Sequence, residues 1–114
     1  MSNTQKQPLV LVGASLPFCQ YQEDGVSVIE FDSCGCGCPV PMVNAMAGLQ
    51  HVAEHGGKLV MINGFEPQGL YERIRGSFDW TVQSLSDEKV LICFAPVAGC
   101  ASTLDFSNNQ CRGG

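Results

Sequence analysis

The spacing of apolar residues along this chain changes several times, and each change marks an element. Val26 to Phe31 is a β-branched, apolar-rich run that ends at Asp32, as a strand does, and Asp24-Gly25 before it is a turn signal. After Gly35 and Gly37 the spacing becomes helical. Met42, Met46, Leu49 and Val52 form one stripe, with Val43 and Ala53 beside it. Pro39 suits the first helical position, where a missing N–H costs nothing, and Gly56-Gly57 suits the end. Leu59 to Ile62 is continuously apolar, the pattern of a strand placed centrally in a sheet. Pro67 begins a second, shorter helix carried by Leu70, Tyr71 and Ile74 and stopped by Gly76. Phe78, Trp80 and Val82 alternate with Asp79, Thr81 and Gln83, which predicts a half-buried strand. Asp87-Glu88 turns the chain into a last strand, Lys89 to Ala95.

These elements predict an α/β (α+β) fold, a two-layer sandwich in the order β-α-β-α-β-β. The sheet is mixed and four-stranded, with both helices on one face so that each apolar stripe is covered. Tyr71, Phe78, Trp80, Met42 and Met46 read as core residues. Leu9 to Val12 has the length for an extra strand in front. The domain spans residues 26–95, between an N-terminal extension (1–25) and an irregular polar tail (96–114).

Composition narrows the function. A chain of 114 residues fits one domain. The net charge of −5 opposes nonspecific nucleic-acid binding, which needs a basic surface. No run approaches the ~20 apolar residues of a membrane span. Pro8 to Ala14 is too short and poorly flanked for a signal peptide, so a cytoplasmic protein is expected. Seven cysteines are many for this length, and their odd number without a secretion signal argues against a closed disulfide framework. Cys93, in the last apolar run, reads as a core residue. Cys34, Cys36 and Cys38 differ: they stand between glycines just before a helix.

A thiol at a helix start gains from the N–H groups and dipole there, which favour negative charge by ~0.3–1 kcal/mol. That moves the titration of a thiol by up to about one pH unit, and raises its thiolate fraction at neutral pH from a few per cent to roughly a quarter. Cys38 is the cysteine at this position. No Lys or Arg lies near it in sequence, so the expected nucleophile is moderate and suited to reversible exchange. Pro39 and Pro41 stiffen the first turn, and Gly35 and Gly37 permit the sharp change from strand to helix.

The run Asp32-Ser33-Cys34-Gly35-Cys36-Gly37-Cys38-Pro39-Val40-Pro41 resembles the D-x-x-G-x-x-C-P-x-P signature of the TusA/SirA-like sulfur carrier family, and every fixed position matches. The resemblance covers residues 26–95 and extends to the order of elements. It implies a carrier that accepts a persulfide on Cys38, with Asp32, Gly35, Pro39 and Pro41 supporting the site. Its implied partners are a sulfur donor, such as a cysteine desulfurase or a rhodanese, and a sulfur acceptor protein. No resident cofactor, direct nucleic-acid contact or membrane is implied; the activity is sulfurtransferase-like rather than that of a free-standing enzyme. Three departures stand out. The first helix is poor in Lys and Arg, with Asn44 where a charge is expected, which points away from tRNA thiolation. Glu66-Pro67 replaces the more usual Asp-Pro, in a stretch closer to a TusA-related branch of unassigned function. Cys34, Cys36 and the cysteine-bearing tail are additions.

Other readings of the same residues stay open. Cys34 or Cys36 can act as a resolving thiol toward Cys38. The three thiols can also form a metal or iron–sulfur site, given a fourth ligand such as Cys19, Cys100 or Cys111. His51 and His55 cannot complete that site, because His51 lies ~20 Å along the helix from Cys38. A noncatalytic interaction domain with the same fold is the third reading. The terminal Arg112-Gly113-Gly114 matches the ending of ubiquitin-like sulfur carriers, but no ubiquitin-like fold precedes it.

Overall fold

The computed structural model of the chain describes residues 6–37 and 39–97. Its elements run β1 (Gln7–Leu9), β2 (Phe18–Glu23), β3 (Val26–Asp32), α1 (Val40–His55), β4 (Lys58–Asn63), α2 (Gln68–Ile74), β5 (Phe78–Ser86) and β6 (Lys89–Pro96). All strands join one open sheet in the order β1-β2-β3-β4-β6-β5. Only β3 and β4 pair in parallel, with α1 as the crossover between them; every other pairing is antiparallel.

The mixed α+β class agrees with the sequence reading, but the sheet has six strands rather than four. β2 was not expected at all, and it pairs along β3 from Cys19↔Glu30 to Glu23↔Val26, so Asp24-Gly25 is a two-residue hairpin loop. Asp24 and Gly25 both take positive φ, 53° and 80°, as that kind of turn requires. The front strand is displaced. It occupies Gln7–Leu9, while Val10 and Val12 are 94% and 98% exposed.

Strand register explains how the two helices share one face. Ile29, Leu59, Phe94 and Trp80 form one row across β3, β4, β6 and β5, and Phe31, Met61, Ile92 and Val82 form the next. Except for the half-buried Trp80 and the exposed Val82, these residues are buried in one core with Met42, Ala45, Met46, Leu49 and Val52 of α1 and Leu70, Tyr71 and Ile74 of α2. Each large side chain removed from water here contributes roughly 1.5–3 kcal/mol. The expected core aromatics fall in place: Tyr71 stacks on Trp80 with ring centroids 4.4 Å apart, and Phe18 of β2 stacks on Phe31 at 4.8 Å. Cys93 is a correction. It lies opposite Val60 and Thr81, on the face turned away from the helices, and is half-buried.

Candidate functional site: the loop from β3 to α1

β3 and β4 end side by side, with Asp32 opposite Ile62. The next residue, Ser33, extends this ladder by donating its N–H to Ile62 O at 2.8 Å. Its hydroxyl donates to Asn63 Oδ1 at 2.9 Å, and Asn63 Nδ2 donates to Phe65 O at 2.9 Å. Both side chains are buried. A buried polar pair with its partners in place holds the loop to one geometry, because releasing any member leaves a group unsatisfied.

Above this base the chain turns tightly. Asp32 Oδ1 accepts the Cys34 N–H at 2.9 Å, and Ser33 O accepts the Cys36 N–H at 3.1 Å. Gly35 sits in the turn at φ 81°, whereas Gly37 has no positive φ and open space around it. The two expected hinge glycines are thus unequal. Gly35→Ala is expected to lower stability by about 1–2 kcal/mol, the penalty of a side chain in the left-handed region. Gly37→Ala is expected to stay within about 0.5 kcal/mol of wild type. Urea unfolding of the two variants checks this, and equal losses would contradict it.

The loop leads directly into α1, which begins at Val40 with Pro39 before it and Pro41 buried in its first turn. Gly37 O accepts the Val40 N–H at 3.0 Å and Pro39 O accepts that of Val43 at 2.9 Å. Pro41 has no N–H. The proline-rich start therefore offers fewer free donors than a usual helix N-terminus, which keeps its pull on a negative charge modest.

Cys34 and Cys36 are half-buried thiols in this loop. Burial pushes the Cys34 thiol up, and its hydrogen bond to Asp32 and the charge of that carboxylate push the same way. Cys34 is accordingly held in its thiol form, which makes it a weak nucleophile. Lys89, at the start of β6, acts in the opposite direction. No Lys or Arg is close to the loop along the chain; the β5–β6 hairpin delivers one. Glu88 O of the same hairpin comes within 3.6 Å of where a side chain on Gly64 would begin.

Cys38 itself lies outside the described residues, as do Cys100, Cys111 and Arg112-Gly113-Gly114. Cys19, on β2, lies opposite Glu30 of β3, and burial and then Glu30 raise its thiol. Among the described residues no three His, Cys, Asp or Glu side chains converge as metal ligands. His51 and His55 stack on each other at the far end of α1 from the loop. No helix of the described residues is long and apolar enough to cross a membrane.

No protein-family model, curated protein or solved structure matches this chain.

Sequence reasoning missed Ser33 and Asn63. Asn63 is the polar residue that ends β4 and Ser33 follows the end of β3 at Asp32, so a polar residue at or just past each strand end was the available signal. Asn44 was read as a missing charge. It is instead fully buried, and it ties the loop before β2 to α1.

Proposed function

We propose that this protein is a sulfur carrier in which Cys38 accepts a persulfide sulfur from a donor protein and passes it to an acceptor protein. The observation that carries this reading is the placement of the Cys34–Gly37 turn between β3 and α1. The loop leaves the C-terminal ends of the two parallel strands, is held from beneath by Ser33 and Asn63, and feeds the first turn of α1. The reading also rests on the resemblance of the Asp32–Pro41 run to the TusA/SirA-like signature.

In the exchange step the Cys38 thiolate attacks the outer sulfur of the donor persulfide. One S–S bond forms on Cys38 while the donor S–S bond breaks, and the donor leaves as a thiolate, so no oxidant is needed. Handover repeats the exchange in the other direction. Cys34, whose thiol is pushed up by burial and by Asp32, is a weak nucleophile and does not compete with Cys38 for the donor sulfur in this reading. The modest activation expected of this helix start suits a carrier, which must release sulfur as readily as it takes it.

The test loads the reduced full chain with a cysteine desulfurase and cysteine, removes the donor, and adds cyanide. Thiocyanate released in proportion to the protein is the expected result. A chain that yields no cyanolysable sulfur after exposure to the donor would sink the proposal.

A further inference from the structure

We propose that His51 and His55 form a binding site for a divalent transition-metal ion, separate from the cysteine loop and independent of the sulfur-carrier reading. The two residues are four apart on α1, so both imidazoles leave the same side of the helix. Their rings stack with centroids 4.4 Å apart and planes 28° from parallel. His55 Nδ1 lies 3.1 Å from His51 O. A carbonyl oxygen only accepts, so in the neutral ring that contact puts the proton on Nδ1 and the lone pair on Nε2. Fixing one ring nitrogen by a backbone carbonyl is how metal-binding histidines are commonly oriented.

The surroundings fit the same use. The pair lines an open cleft of about 250 Å³, with Gln50 and the Glu54 carboxylate on the helix side. Gln50 Nε2 reaches Glu54 Oε2 at 3.4 Å. The other wall is the turn after β1, whose Val10 and Val12 stand almost fully in water at the rim. Two imidazole nitrogens on one tetrahedral zinc stand about 3.4 Å apart, given Zn–N bonds of about 2.1 Å. Rings already stacked at 4.4 Å need only side-chain rotation to present them. Two imidazoles, with a carboxylate alongside and water in the remaining positions, suit Zn²⁺, Ni²⁺ or Cu²⁺ rather than Mg²⁺ or Ca²⁺. With two protein nitrogens the site holds its ion exchangeably and leaves positions open for a further ligand.

Seven thiols compete for soft metals, so the test must locate the ion as well as detect it. Ni²⁺ serves as the probe, because it is paramagnetic and does not oxidise thiols as Cu²⁺ does. Amide spectra of the reduced full chain are followed as Ni²⁺ is added. The expected result is saturable broadening of residues 50–55 and 10–12. His51→Ala and His55→Ala should each weaken it by at least about tenfold, since even outer-sphere partners carry that much affinity. Gln50→Ala should leave it unchanged. Both histidine variants alter the helix surface and should keep the wild-type spectrum without metal. Broadening confined to residues 33–37, or an affinity unchanged in His55→Ala, would overturn the proposal.

Discussion

Asn44→Ala is expected to lower the stability of this protein by about 3 kcal/mol, although it removes no apolar surface and lies outside the cysteine loop. The side chain is fully buried and makes four hydrogen bonds. Its Oδ1 accepts the backbone N–H groups of Ser15 and Leu16, both at 2.9 Å. Its Nδ2 donates to Ser15 Oγ at 3.0 Å and to Val40 O at 2.9 Å. Removing the amide leaves two N–H groups and a carbonyl without these partners, and each such group costs about 1–3 kcal/mol when water cannot replace the bond. Asn44→Asp restores the acceptor only. It places a carboxylate oxygen against Val40 O, so it should not rescue. Urea unfolding with an unchanged slope and a lowered midpoint is the expected signature. A loss under about 1 kcal/mol would mean that the loop before β2 repairs itself with water.

Gly57→Ala is expected to cost about 3 kcal/mol, for a different reason. Gly57 connects α1 to β4 at φ 100°, a conformation that side chains rarely adopt. A side-chain carbon there would also press against the backbone oxygen of Ser27. Both obstacles are backbone, so no rotamer change relieves them. The neighbouring Gly56 has a similar φ, 83°, but open space around it. Gly56→Ala should therefore cost only about 1–2 kcal/mol. Thermal and urea unfolding of the pair separates the close approach from the backbone strain they share. Equal losses would show that Ser27 yields.

The parts of the fold that were legible in the sequence are those where burial writes a period. The α1 stripe of Met42, Met46, Leu49 and Val52 is buried at every position, as is the Leu70, Tyr71 and Ile74 set of α2. β2 was illegible because it buries little. Phe18 is its one deeply buried side chain, and Gln20 and Gln22 share the face of Phe18. What holds β2 is main-chain pairing across the Asp24-Gly25 turn, which leaves no apolar pattern. The turn was visible, but the strand ahead of it was not.

The cysteine loop divides in the same way. The tight turn at Gly35 and the helix start at Pro39 follow from local chemistry and were readable. Asn63 and Lys89 come from β4 and β6, so only tertiary pairing brings them to the loop. Asp32 was readable as a supporting residue, yet its work is specific: it accepts the Cys34 N–H and adds to the effect of burial in pushing the Cys34 thiol up. That contrast marks Cys34 as a weak nucleophile, in keeping with the proposal that Cys38 carries the sulfur.

The most direct measurement is therefore the site of sulfur loading. The reduced full chain is incubated with a cysteine desulfurase and cysteine, alkylated, and analysed by intact and peptide mass spectrometry. A one-sulfur gain located on Cys38, absent in Cys38→Ser and retained in Cys34→Ser, is the predicted result. A gain that persists in Cys38→Ser, or one located on Cys34, would contradict the account.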